Sequence, residues 1–121
     1  MKTCLIVEDS GVIRRVERRM MEELGYTVDE AEDGQVALDR CAGGMPAVIL
    51  LDWVMPGMDG LSFLRALRAT PDGGGPRVIF CTSLTDMASV NEAAAAGADE
   101  FVMKPFDRET LAVKLATVGA P

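Results

Sequence analysis

Short apolar runs in this chain end repeatedly on a residue able to handle a phosphoryl group or a metal ion. Glu8 and Asp9 follow Leu5-Ile6-Val7, Asp52 follows Ala47-Val48-Ile49-Leu50-Leu51, Thr82 follows Val78-Ile79-Phe80-Cys81, and Lys104 follows Phe101-Val102-Met103. Each alone has an ordinary structural explanation. Glu8-Asp9-Ser10 would serve as a helix N-cap, Asp52 would cap a turn, Thr82 would satisfy a backbone group and Lys104 would be a surface charge. Together they are three carboxylates, a hydroxyl and an ammonium. Clustered carboxylates repel unless a cation joins them, and oxygen-only ligands favour Mg²⁺ or Mn²⁺ over zinc. A phosphoryl group in transfer spreads negative charge over three oxygens, so its catalysis is mostly positioning and neutralisation. The metal would hold one oxygen, the Lys104 ammonium a second and the Thr82 hydroxyl a third. The chain has no histidine, which removes Ser-His-Asp, Cys-His and histidine-metal chemistry and leaves Asp52 itself as the nucleophile that would form an acyl phosphate.

The elements that must position these residues follow from periodicity. The apolar runs are strand-like, and helical spacing separates them. Val12, Ile13, Val16, Met20 and Leu24 recur three or four residues apart until Gly25, which predicts a first helix with that stripe inward. Tyr26 to Ala31 forms a weaker second strand; Asp33-Gly34 opens a helix that Gly43-Gly44 closes. Ala47–Leu51, apolar on both faces, reads as the central strand of a covered parallel sheet. Asp59 is a probable N-cap for a helix burying Leu61, Leu64 and Leu67, Asp107 caps the last helix, and the glycines between Asp72 and Pro76 read as a flexible connection. Five strands alternating with five helices predict a doubly wound α/β domain with a five-stranded parallel sheet. Strand order 2-1-3-4-5 suits it best, the flavodoxin-like arrangement, and ligands of such sheets bind at the carboxyl ends of the strands where the order reverses.

Composition narrows the function classes. At 121 residues the chain is expected to be one domain spanning 1–121 with no output domain attached. A net charge of −7 repels a nucleic-acid backbone. The longest apolar run is too short to span a bilayer and Met1-Lys2-Thr3-Cys4 leads straight into strand-like residues, so a cytoplasmic protein with no membrane association is expected. Cys4, Cys41 and Cys81 lack metal-type spacing and read as small core hydrophobes.

The motifs Leu5-Ile6-Val7-Glu8-Asp9-Ser10, Leu51-Asp52-Trp53-Val54-Met55-Pro56-Gly57-Met58-Asp59-Gly60, Cys81-Thr82-Ser83 and Lys104-Pro105-Phe106 resemble the receiver (response-regulator) family over essentially the whole chain. Asp52-Trp53 and Phe101 to Asp107 look most like single-domain chemotaxis regulators of the CheY type. The resemblance implies a two-component signalling protein, not an enzyme acting on other substrates. Asp52 would be phosphorylated by a histidine kinase or a histidine phosphotransfer protein. Asp9 and Asp52 would bind Mg²⁺ directly, Glu8 through water, and the Val54 carbonyl would complete the protein ligands. Lys104-Pro105 would be cis, Phe101 would be the switch aromatic, and the fourth helix, fifth strand and fifth helix would form the readout surface for a downstream protein. Where chemotaxis regulators often carry polar residues, this chain has Val54 and Leu84, which would shield the acyl phosphate from water.

Arg14, Arg15, Arg18 and Arg19 form two i, i+4 pairs on the first helix. They read as a solvated face balanced by Glu17, Glu22 and Glu23, as a dock for the histidine-bearing helical bundle of the kinase or, least favoured, as a site for an anionic nucleotide. Two other phosphate-handling classes fit less well. Aspartyl-phosphate hydrolases carry the nucleophile after the first strand with a second Asp two residues on, and a flavodoxin-type FMN site needs a Ser/Thr/Gly-rich loop where this chain has Glu8-Asp9. Within receiver roles, an output protein of chemotaxis or motility leads; a phosphorelay shuttle or phosphate sink is the alternative.

Overall fold

The computed structural model describes residues 2–53, 57–83 and 87–121. Strand and helix alternate along them: β1 (Thr3–Val7), α1 (Gly11–Glu23), β2 (Thr27–Ala31), α2 (Gly34–Ala42), β3 (Val48–Asp52), α3 (Gly60–Ala69), β4 (Arg77–Thr82), α4 (Met87–Ala96), β5 (Glu100–Met103) and α5 (Arg108–Thr117). All pairings are parallel and the order is β2-β1-β3-β4-β5, as the alternation predicts. Every residue of β3 is buried, because each β-strand side chain row meets a helical layer on its own side.

Those two rows divide the core. Leu5, Val7, Ile49, Leu51, Val78 and Phe80 pack with Ala37, Phe63, Leu64, Leu67 and Ala93 on the side of α2, α3 and α4. Cys4, Ile6, Val48, Leu50, Ile79, Cys81 and Val102 pack with Met21, Leu111 and Leu115 on the side of α1 and α5. The cysteines are buried, free thiols. Four helices start on side-chain caps: Ser10 Oγ accepts from Ile13 N at 3.3 Å, Asp33 Oδ1 from Val36 N at 2.9 Å, Asp59 Oδ1 from Ser62 N at 2.8 Å and Asp107 Oδ1 from Thr110 N at 2.8 Å. The expected Asp59 and Asp107 caps are both present.

Helix α1 departs from expectation. Val12, Ile13 and Val16 are 67%, 38% and 50% exposed, whereas the residues it buries are Glu17 and Met21. Apolar spacing shows which side chains share a face; it does not show that another element covers that face. Here the sheet lies under the Glu17–Met21 row; Met20 and Leu24 of the expected stripe pack against the core, half-buried, and only Val12, Ile13 and Val16 are left exposed in the first half of the helix. The glycine stretch also differs from a flexible connection. A Cβ on Gly73 would lie 1.6 Å from the Leu67 carbonyl oxygen, and Arg68 Nη1 donates to the carbonyls of Gly73 at 2.7 Å and Pro76 at 2.9 Å, so the turn is close-packed and pinned.

Candidate functional site

Register brings the acidic residues level. Val7 pairs with Leu51, so Glu8 emerges beside Asp52, which itself pairs with Cys81. Met103 pairs with Thr82, and Lys104 N donates to the Thr82 carbonyl at 2.8 Å, which delivers Lys104 to the same rim. Period-two alternation then sorts the side chains. Glu8 continues the row of Cys4 and Ile6, Asp52 that of Val48 and Leu50, and Lys104 that of Val102, all on the α1–α5 side. Thr82 continues the other row, with Val78 and Phe80; it is buried, at the same edge of the sheet.

The three residues that share a row meet. Lys104 Nζ donates to Glu8 Oε1 at 2.7 Å and to Asp52 Oδ1 at 2.9 Å. Glu8 is 2% exposed and Asp52 8%, so both carboxylates are largely out of water and need this partner. One carboxylate oxygen from each of Glu8, Asp9 and Asp52 lies within 4.8 Å of the others. Burial works against the Lys104 ammonium, but its hydrogen bonds to Glu8 and Asp52 prevail and hold it above the ordinary lysine range. The Asp9 carboxyl is pushed up, first by its hydrogen bond with Glu8 and then by partial burial. Three carboxylates against one ammonium leave the pocket negative, and its donors are all oxygen, a set that fits a hard divalent cation such as Mg²⁺.

Neighbouring elements hold this arrangement. Gly60, the first residue of α3, abuts β3: a Cβ there would lie 2.4 Å from the Asp52 carbonyl oxygen, and Gly60 N donates to the Trp53 carbonyl at 3.2 Å. Arg14 grips the loop after β1, donating through Nη1 to the carbonyls of Glu8 at 2.8 Å and Asp9 at 3.2 Å. Its Nε reaches Glu30 Oε1 at 3.0 Å, and Arg18 Nη1 reaches Glu30 Oε2 at 2.6 Å. Hydrogen bonds first from Arg18 and then from Arg14 hold the Glu30 carboxyl below its usual value, against the effect of burial. Arg14 and Arg18 are therefore committed to β2, while Arg15 and Arg19 face solvent. Glu17, expected on the solvated face as a balancing charge, is 4% exposed.

Trp53 lies against Phe80 with ring centroids 5.0 Å apart, and Phe80 lies 6.1 Å from Phe101. This line of rings joins the residue after Asp52 to β5. Phe101 is half-buried, with the Lys114 ammonium 5.0 Å from its ring. The Lys104–Pro105 peptide is cis, as the resemblance implies. Val54 and Leu84 lie outside the described residues.

A family model for the response regulator receiver domain matches residues 4–116. The chemotaxis protein CheY of Pseudomonas aeruginosa is 36% identical over 115 residues, 94% of this chain and 93% of that protein. The chemotaxis protein CheY-3 of Vibrio cholerae is 35% identical over 112 residues, 92% of this chain and 86% of that protein. This chain belongs to the receiver-domain family. Among solved structures, the chemotaxis protein CheY4 of Vibrio cholerae superposes on this receiver domain with a TM-score of 0.92, at 33% identity and covering 98% of each chain. A putative response regulator from Chloroflexus aurantiacus shares the fold, with a TM-score of 0.91 at 24% identity over 98% of each chain.

Glu8, Asp9, Asp52, Thr82 and Lys104 were visible as strand-end residues. Sequence reasoning missed Arg14 as the clamp on the acidic loop and Glu17 as a core residue of this receiver domain. For Glu17 a signal existed: it stands one turn before Met21 and between Val16 and Met20, among apolar positions where an acidic residue is out of place.

Proposed function

We propose that the receiver domain accepts a phosphoryl group on Asp52 from a phosphohistidine of a histidine kinase or phosphotransfer protein, with Mg²⁺ bound among Glu8, Asp9 and Asp52. The observation that carries this reading is the Lys104 ammonium held 2.7 Å from Glu8 and 2.9 Å from Asp52, beside a third carboxylate at the carboxyl edge of a parallel sheet. An Asp52 carboxylate oxygen bonds to phosphorus as the phosphorus–nitrogen bond breaks, and the departing imidazole nitrogen keeps the electron pair and takes a proton. The divalent ion, when bound, neutralises charge on the phosphoryl oxygens. Lys104 stabilises another phosphoryl oxygen. Thr82, which lies on the opposite row, supplies its hydroxyl once it moves toward the phosphoryl group, and Phe101 turns inward with it.

For the donor, the surface next to the acceptor supports a helical partner. Val12, Ile13 and Val16 are exposed, and Ile13 and Val16 with Pro105 and Phe106 line a cavity of about 420 Å³ that reaches Lys104; Arg15 and Arg19 are exposed on the same helix. For the output, α4 and β5 border a smaller cavity of about 240 Å³ lined by Val90, Ala94 and Phe101, and Met103 of β5 and Val113 of α5 are exposed, which supports a protein target in chemotaxis or motility. No helix among the described residues is long and apolar enough to cross a membrane.

Incubation with a small acyl phosphate tests the chemistry. Wild type gains one phosphoryl group only with Mg²⁺ present, and Asp52→Ala gains none. Labelling independent of Mg²⁺ or retained in Asp52→Ala would refute the reading.

A further inference from the structure

Glu17 has no part in the reading above, yet it is the most deeply placed carboxyl near the site apart from Glu8. It sits on the inner wall of the cavity of about 420 Å³ whose lining also includes Ile13, Val16, Met20, Lys104 and Phe106, and it is 4% exposed. Among the described residues it forms no ion pair: Lys104 shares the cavity but gives its ammonium to Glu8 and Asp52. The charged or titratable groups that face it are Lys104 after β5, Glu8 after β1 and Asp52 at the end of β3, with the thiols of Cys4 on β1 and Cys81 on β4. None of Glu8, Asp9 or Asp52 touches it through a hydrogen bond.

Resting on the proposed phosphorylation of Asp52, we propose that Glu17 is a positioning residue that acts through Lys104: by releasing its proton it draws on the Lys104 charge, weakening phosphorylation of Asp52 and strengthening divalent-cation binding as pH rises. Burial keeps the Glu17 carboxyl protonated, pushed up to about 8; the Lys104 charge opposes this, while Glu8 and Asp52 add to it. Above that value its proton passes to solvent and a new negative charge stands in the low-dielectric wall of the pocket. Repulsion of an incoming phosphoryl anion and attraction of a divalent cation then grow together. Lys104 and the two thiols do not titrate in the same window. Lys104 is held above the ordinary lysine range, and burial pushes both the Cys4 and Cys81 thiols well up.

The opposite signs define the experiment, carried out on the full chain from about pH 6.5 to about pH 9 with wild type, Glu17→Gln and Glu17→Leu. Mg²⁺ affinity is read from Trp53 fluorescence, and the initial rate of phosphorylation by an acyl phosphate is read at saturating Mg²⁺. In wild type the rate is expected to fall about threefold across this range while Mg²⁺ affinity rises about threefold. Both profiles are expected to be flat in the two variants, and at the acid end Glu17→Gln matches wild type. A flat wild-type profile, profiles that overlay those of the variants, or two readouts moving in the same direction would overturn the proposal. Wild type that binds Mg²⁺ with the expected pH dependence but never takes a phosphoryl group would instead count against the Asp52 reading, because the cation arm requires no phosphoryl transfer.

Discussion

Lys104 decides the electrostatics of the pocket. It balances two carboxylates that the fold has largely removed from water, and the same ammonium faces the place where phosphoryl charge would develop. Its loss should therefore act on several observables at once. In Lys104→Met, the phosphorylation rate from an acyl phosphate is expected to fall by about 10²-fold, the scale of losing one preorganised donor to a developing oxyanion. Mg²⁺ affinity should rise, because the competing cation has gone and Glu8 and Asp52 are left unpaired. Measuring both in the same protein separates this account from general damage, which would lower both.

At the scale of elements, the junction of β3 and α3 is the least forgiving part of the site. Gly60 permits α3 to start against the Asp52 carbonyl, where a Cβ would come within 2.4 Å of backbone oxygen. Gly60→Ala should force the two elements apart and cost about 2 kcal/mol in denaturant unfolding, with weaker Mg²⁺ binding, since overpacking commonly costs 1–3 kcal/mol. An unchanged unfolding midpoint would show that the junction relaxes freely. The helices and strands themselves were readable because their signals are local: β-branched runs, Asp and Ser caps, and glycines at helix ends. Helix α1 was misread because burial is a tertiary property. Its apolar stripe and its Glu17–Met21 row are both helical in spacing, and only the position of the sheet selects the second. Arg14 and Arg18 were equally opaque, since their partner Glu30 lies on β2, and the pairing depends on how α1 crosses that strand.

Over the whole molecule, strand-end residues identified the site because a parallel sheet gathers all its carboxyl ends at one edge, so topology alone made Glu8, Asp52, Thr82 and Lys104 neighbours. Which side chains meet depends on side-chain row, and the pairing of the Lys104 ammonium with both Glu8 and Asp52 came from the structure. Stability should carry the imprint of the buried carboxyl. Glu17 is raised from 4.5 to about 8 in the folded chain, so between those values the native state holds a proton that the unfolded state has released. Stability from this group therefore falls as pH rises through that window and levels off above it. Glu30 has the opposite sign: its lowered value gives stability that is present above the usual glutamate range and lost in acid. Urea unfolding of wild type is expected to weaken by about 2 kcal/mol between about pH 6 and about pH 8, below the range where unfolded thiols ionise, whereas Glu17→Gln holds level over the same range. Parallel curves would place the Glu17 carboxyl in water.

The central claim is that one carboxylate, Asp52, becomes an acyl phosphate in a pocket organised by Glu8, Asp9 and Lys104. Trapping the phosphorylated chain with hydride, which converts an aspartyl phosphate to homoserine, and locating the change by peptide mass tests it most directly. Conversion is expected at Asp52 alone, and only with Mg²⁺ present. Conversion at another carboxylate, or none under conditions that saturate the metal, would contradict it.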